Sequence, residues 1–351
     1  PWPQSDLTRW GLFRNPMPPR DEDVIFRDIR DDASIADNQI CGPTYETLRV
    51  DLRREFAVDF ERLAEQHNPI VRRVVRRTRS MLEEKGLLKP IAVVVHPRLD
   101  DRLPEHLFDR EGLVMNLAFK TAYDAAEEFT RLYAARCPGA GFLRTIVLRR
   151  VGSSARAGLQ TTRHLLGRLQ GPILQEDEMS EEGQPTEIAR PESAELECLR
   201  IVERNLDAIV LGSEVDPKVQ VILHYLRDRR WLEDHGAIIF SQYLATAEWV
   251  LEALCDVFPD EPIGLYAGGS ASFVQRGTDR RFVPRDQIKK RIQDGEIRLV
   301  CATDAACEGL NLQRLGAQIN VDMPWNPSRL EQRKGRIQRI GQVRDAIHVL
   351  N

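Results

Sequence analysis

The sequence has no G-x-x-x-x-G-K-[ST] phosphate loop and no D-E-x-H box. Asp260-Glu261-Pro262-Ile263 is the nearest approach to the latter, and no phosphate loop lies upstream of it. These 351 residues therefore lack the elements that hold the phosphates and the magnesium of a nucleotide. Six cysteines are present, at 41, 137, 198, 255, 301 and 307, without a C-x-x-C pair, so neither a zinc site nor a disulfide framework is expected. No apolar run approaches the roughly 18–20 residues of a membrane span, and no basic-then-apolar leader opens the chain. No internal repeat occurs. The chain opens Pro1-Trp2 and stops after the apolar run Ala346 to Leu350, which reads as an excerpt of something longer.

What is present is a globular composition: 42 % apolar and 30 % charged residues, enough to bury a core. The net charge of −4 hides strong sorting. Arg72 to Arg79 holds five arginines and no acid; Arg329 to Arg344 holds six basic residues against Glu331; Glu176 to Glu195 holds eight acids against Arg190. Local partners therefore matter more than the sum.

The first forty residues are rich in proline and read as a loop or extended arm. Leu48, Leu52, Phe56, Phe60 and Leu63 then recur at helical spacing. "IVRRVVRRTRSML", from Ile70, reads as an amphipathic helix with a basic side. "IAVVVH", from Ile91, reads as a buried strand. Helices are expected over about 116–137 and 159–169, and 175–191 reads as an acidic loop. From about Ser193 the pattern alternates. Asp216-Pro217 is a helix start, and helices are expected over 246–257 and 285–294. Strands are expected at 237–240, 263–266, 298–302, 319–322 and 347–350. The expected fold class is α/β, a parallel sheet with helices on both faces, preceded by a mainly helical region.

In such a sheet, ligands bind beyond the carboxyl ends of the strands. Ser241-Gln242 follows the first of these strands, "TDAACEGLNL" (303–312) the third, and "MPWNP" (323–327) the fourth. Asn326 and Pro327 then open a helix carrying "QRKGRIQRIGQ" (332–342). Arg333, Arg336 and Arg339 are spaced to share one helical face. That face is either a solvated basic surface or a phosphate-facing cluster, since the arginine fork matches phosphate oxygens. Gly335 and Gly341 imply close approach or an early end of the helix.

These segments carry a family resemblance. "GAIIFSQY", "ATDAACEGLNLQ", "INVDMPWNP" and "QRKGRIQRIGQ" resemble motif IV, motif V, the segment after it and motif VI of a superfamily 2 helicase. W-N-P with R-I-G-Q is similar to the Swi/Snf family of DNA-dependent ATPases, bacterial type, and "VVRRTRSMLEEKG" resembles the segment by which that family leaves its first lobe. The resemblance implies a second RecA-like lobe over 211–351. It implies helices leaving an absent first lobe over 1–90 and a helical insertion over 91–210, which offers a surface for a protein partner. Arg336 and Arg339 match the arginines that reach the ATP phosphates across the interlobe cleft. Gln332, Gly309 and Asn311 match nucleotide-proximal positions. Gln242, Thr303 and Trp325 match positions toward the nucleic acid, although Trp325 equally suits core packing.

The resemblance further implies ATP and Mg²⁺ as cofactors of the complete protein, double-stranded DNA as partner, and a first lobe in cis. No resident metal and no membrane are expected, and the location is cytoplasmic and nucleoid-associated. The chain alone is expected neither to hydrolyse ATP nor to bind it tightly. The alternative is a helicase-like lobe that serves as a DNA or protein scaffold.

Overall fold

The computed structural model describes residues 4–67, 86, 90–98, 101, 103–110, 112–137, 140–169, 189–268, 271–304 and 312–351. The chain divides into two units, Pro1–Lys89 and Pro90–Asn351.

In the first unit Pro16, Pro18, Pro19 and Pro43 fall between helices. α1 (Asp6–Arg14) is capped by Ser5 and α2 (Val24–Asp32) by Asp23. Both pack on α3 (Val50–His67) through Trp10, Phe13, Phe26, Phe56 and Phe60. The expected arm is thus replaced by helices, because capping side chains and an aromatic core outweigh the proline content. Arg30 adds a second tie. Buried at 2 % exposure, its guanidinium donates to the carbonyls of Met17, Pro18, Ala36 and Gln39, holding the proline segment against α2. The basic stretch Arg72 to Arg79 and most of the acidic stretch lie outside the described residues. Of the latter, Glu195 pairs with Arg136 at 2.8 Å.

The second unit is built on an eight-stranded sheet. Its strands are β1 (Ala92–His96), β4 (Ala237–Ser241), β5 (Ile263–Tyr266), β6 (Phe273–Arg276), β7 (Asp279–Phe282), β8 (Leu299–Thr303), β9 (Ala317–Asn320) and β10 (Ala346–Leu350). The order is β1-β10-β9-β4-β8-β5-β6-β7, parallel from β1 to β5. β6 and β7 add an antiparallel hairpin at one edge. A small two-stranded sheet, β2 (Phe108–Asp109) and β3 (Gly112–Leu113), stands apart from it.

Alternation along each strand sends residues to opposite faces. Ala237, Ile239, Leu299, Cys301 and Ile319 pack on α8 (Pro217–Leu223), α9 (Trp231–Asp234) and α10 (Leu244–Val257). Ile238, Phe240, Val300, Ala302 and Ile347 pack on α11 (Arg285–Asp294) and α12 (Pro327–Ile337). Both faces of the central strands β4, β5, β8 and β9 are covered, whereas β1, expected as a buried strand, lies at the edge of the sheet and is mostly exposed.

Between β3 and α8 lies a bundle of α4 (Leu117–Arg136), α5 (Gly141–Ser153), α6 (Ala155–Leu165) and α7 (Ser193–Val210) with its own core of Phe119, Phe129, Val151, Leu199 and Leu206. α6 begins four residues earlier than the sequence suggests, because Ser154 accepts from the Ala157 amide and caps it. Two further differences concern the sheet. β1 lies inside the segment read as an insertion, yet pairs with β10 over Ala92–His96. The β6–β7 hairpin has no counterpart among the expected strands; its turn runs through Gly277, at φ +55°. No described helix is long and apolar enough to cross a membrane.

Candidate functional site at the carboxyl edge of the sheet

The strands β4, β8 and β9 end side by side, with Ser241 opposite Thr303 and Phe240 opposite Asn320. Asp322, two residues beyond β9, collects the loops that follow. Its carboxylate accepts from Ser241 Oγ at 2.6 Å and from the Gln242 amide at 2.9 Å. It also accepts from Ser153 Oγ at 2.7 Å, 169 residues earlier in the chain.

Arg333 enters the same node from α12. It is 1 % exposed. Its Nε and Nη2 donate to the two oxygens of Asp304 at 2.5 and 2.8 Å. Its Nη1 donates to Asn320 Oδ1 and to the Asp322 carbonyl at 3.1 and 2.8 Å, and Nη2 lies 3.4 Å from Asp322 Oδ1. The guanidinium also stands over the Phe240 ring, 5.5 Å from its centroid. A buried charge is tolerable only with this degree of pairing. Arg333 therefore anchors α12, and the expected three-arginine face does not form. α12 ends at Ile337, so Arg339 lies in the turn beyond it and is exposed.

Asn326 caps α12 by accepting from the Ser328 amide at 3.0 Å, with Pro327 in the first turn. A Cβ on Gly335 would meet nothing, so this glycine marks no close approach. Gly341, at φ +91°, makes the turn that ends the segment. Gln342 Nε2 closes that turn on the Ile337 and Leu315 carbonyls.

Lys218 completes the node from α8. Its Nζ donates to the carbonyls of Gly152, Ser153 and Val321 at 2.6, 3.1 and 2.8 Å. Burial pulls its pKa down, against the opposing pull of Asp322 and Asp216. Ser153, Ser154 and Thr246 share hydroxyl hydrogen bonds of 2.8 Å. The joint between α5 and α6 is thereby bolted to the carboxyl edge.

The positions singled out in the sequence fall as follows. Thr303 ends β8 and is buried, Gln242 is half-buried beside Asp322, and Gln332 is exposed on α12. Arg336 is half-buried, and its Nε has no hydrogen-bond partner among the described residues. Gly309 and Asn311 lie outside the described residues. Trp325 is 78 % exposed, which rules out the core-packing alternative, and Arg149 covers its ring at 5.4 Å. Asp322, Lys218 and Ser153 were not singled out. Asp322 does close the strand signal "INVD", whereas nothing local marks Ser153. Among the described residues no cluster of His, Cys, Asp and Glu could hold a metal ion.

Comparison with known proteins matches part of the chain to a domain. The profile of the helicase conserved C-terminal domain covers residues 217–341. The uncharacterized ATP-dependent helicase YqhH of Bacillus subtilis is 40 % identical over 121 residues, 34 % of this chain and 19 % of its own length. The RNA polymerase-associated protein RapA of Erwinia tasmaniensis is 30 % identical over 135 residues, 38 % of this chain and 13 % of its own. The matches thus span less than a fifth of either relative. The C-terminal part of the Fun30 ATPase domain superposes with a TM-score of 0.40 at 13 % identity, covering 75 % of this chain and 85 % of that one. Residues 217–341 thus match a helicase conserved C-terminal domain, carried on the parallel part of the sheet.

Proposed function

We propose that the chain supplies motifs IV, V and VI to a DNA-stimulated ATPase that translocates along double-stranded DNA. In this reading a first lobe in cis holds ATP with Mg²⁺, and this lobe closes over it. Arg336 and Arg339 stabilise charge on the transferring phosphoryl group, while Gln332, Gly309 and Asn311 border the nucleotide. Gln242, Thr303 and Trp325 face the nucleic acid. The protein works in the cytoplasm on nucleoid DNA, and the bundle within 91–210 offers a surface to a protein partner.

The observation that carries this reading is the mounting of α12. Arg333 locks the helix to Asp304 and Asp322, and one turn later the Nε of Arg336 has no hydrogen-bond partner among the described residues. A guanidinium on a rigid support, with no carboxylate partner among the described residues, suits a phosphate supplied from outside the chain. ATP with magnesium, when bound, supplies the phosphoryl group. The chain's own contribution is position and charge, and such an arginine is worth roughly 10³–10⁵ in rate. Because that arginine sits on a separate lobe, hydrolysis depends on closure, which couples turnover to movement along DNA.

The test is ATP turnover by the native full-length protein, with and without duplex DNA, beside Arg336→Ala. DNA-stimulated turnover that collapses in the variant supports the reading. Absence of turnover together with salt-sensitive DNA binding would favour the scaffold. The 351-residue chain alone is expected to show no turnover, since it has no phosphate loop.

A further inference from the structure

A second basic feature lies at the opposite, amino edge of the sheet. Here His235 and Gly236 lead into β4, Arg298 into β8, Leu315 into β9 and Arg344 into β10, and these four strands are neighbours. With Arg314 they line a cavity of about 320 Å³. That volume is within the range of small-ligand sites, about 300–1,000 Å³.

The charges in this cavity do not cancel. Arg298 is neutralised by Glu261, with Nη2 to Oε2 at 2.7 Å, and the one carboxylate of the lining, Glu233, is taken by Arg230 at 2.7 Å. Among the described residues neither Arg314 nor Arg344 has a side-chain hydrogen bond or a carboxylate partner. Two uncompensated guanidiniums thus face one concavity. Guanidinium forks favour phosphate oxygens above other anions of similar size.

Two glycines make room for them. A Cβ on Gly295, which sits at φ +82°, would fall 2.3 Å from Arg314 Nη1. A Cβ on Gly316 would fall 3.2 Å from Arg344 Cγ and 3.5 Å from His235 Nδ1, so these two side chains meet over one glycine. The buried Nδ1 of His235 has no hydrogen-bond partner among the described residues. Burial and the Arg344 charge hold this imidazole below its usual pKa. It is therefore neutral near pH 7, with one ring N–H to donate. Ile292, Ile297 and Leu315 supply an apolar floor.

We propose that this cavity binds the phosphoryl group of a phosphate-bearing ligand, gripped by Arg314 and Arg344 with His235 as a neutral donor. The site is separate from the carboxyl edge. Strands of five residues at about 3.3 Å each put roughly 15 Å between the two edges. The group belongs either to a free nucleotide or to a nucleic-acid backbone.

The test is a titration of the 351-residue chain with inorganic pyrophosphate, followed by NMR of the His235 ring, which His235→Gln assigns. Saturable movement of that resonance, weakened about tenfold or more in Arg314→Ala/Arg344→Ala, supports the site. Both arginines are exposed, so the double variant should keep its fold, which circular dichroism checks. No saturable movement up to about 10 mM pyrophosphate, or movement that survives in the double variant, overturns the proposal. Movement abolished by Arg336→Ala instead also overturns it, because binding then belongs to the carboxyl edge. Competition by ADP assigns the phosphoryl group to a free nucleotide, and competition by a short DNA duplex assigns it to a backbone; either result supports the site.

Discussion

Arg333 and Asp304 form a two-point ion pair, Nε to Oδ1 at 2.5 Å and Nη2 to Oδ2 at 2.8 Å, joining α12 to the end of β8 across 29 residues of chain. The pair is nearly dry, at 1 % and 8 % side-chain exposure. Removing one partner strands the other charge. Arg333→Ala is expected to destabilise the chain by about 3–5 kcal/mol, and Arg333→Lys to restore little of it because a point charge cannot make both bonds. Chemical denaturation of the three proteins checks this; a variant within about 0.5 kcal/mol of the parent would show that Arg333 does not anchor α12.

Ser153 and Asp322 connect the helical bundle to the motif-bearing edge. Ser153→Ala is expected to cost about 1 kcal/mol. Combined with Asp322→Asn it should be non-additive by about 0.5 kcal/mol or more, because the two share one hydrogen bond. A double-mutant cycle in urea measures the coupling. Strict additivity would mean that the bundle and the lobe are fastened elsewhere.

Trp325 is exposed and touches the Arg149 guanidinium. Trp325→Ala should therefore leave stability within about 0.5 kcal/mol. If the residue faces nucleic acid, duplex affinity should fall by about 1 kcal/mol or more, a loss of aromatic contact with bases or sugars. Fluorescence anisotropy on labelled duplex at fixed salt reads this out. Unchanged affinity would remove Trp325 from the DNA surface.

His348 lies in a cluster with His96 and His235, its Nδ1 3.2 Å from His96 Nε2. Burial, the two neighbouring rings and Arg98 lower its pKa to about 4. The folded state thus binds fewer protons than the unfolded state between about pH 6.5 and 4. Stability is expected to be complete above about pH 6.5 and to decline as pH falls toward 4. The loss is about 1–2 kcal/mol, below what the full shift implies, since the ring is partly solvated. Melting temperature against pH, beside His348→Gln, checks the sign; the variant should show the shallower decline.

Arg336 is half-buried on a helix held by other residues. Arg336→Ala should shift the melting temperature of the chain little while lowering ATP turnover of the full-length protein by about 10³ or more. Equal losses of stability and turnover would make it a structural arginine.

The elements legible in the sequence are those written locally. Asp216-Pro217 and Asn326-Pro327 start helices because the capping oxygen and the fixed proline φ act within three residues. "AIIF" and "RLVCA" read as buried parallel strands because both their faces are apolar. The β6–β7 hairpin was not legible, since β7 is exposed at every position, polar at all but Phe282, and held as a strand by β6 alone. The helices of the opening segment were hidden by its prolines, whose stretch is held through the Met17 and Pro18 carbonyls by Arg30 of α2.

The sequence by itself determined the parallel sheet, the edge at which its loops gather and the motif-bearing helix. Each follows from periodicity and capping, which operate over a few residues. Only the tertiary structure separated Arg333 from Arg336. Three residues apart, they carry the same charge on adjoining positions of one side of the helix. What distinguishes them is where Asp304 and Asp322 arrive from other strands: a buried guanidinium must find its counter-charges, and the chain supplies them to Arg333. Likewise, no local pattern foretold that Ser153 would reach Asp322, because that hydrogen bond exists only once the bundle has docked on the sheet.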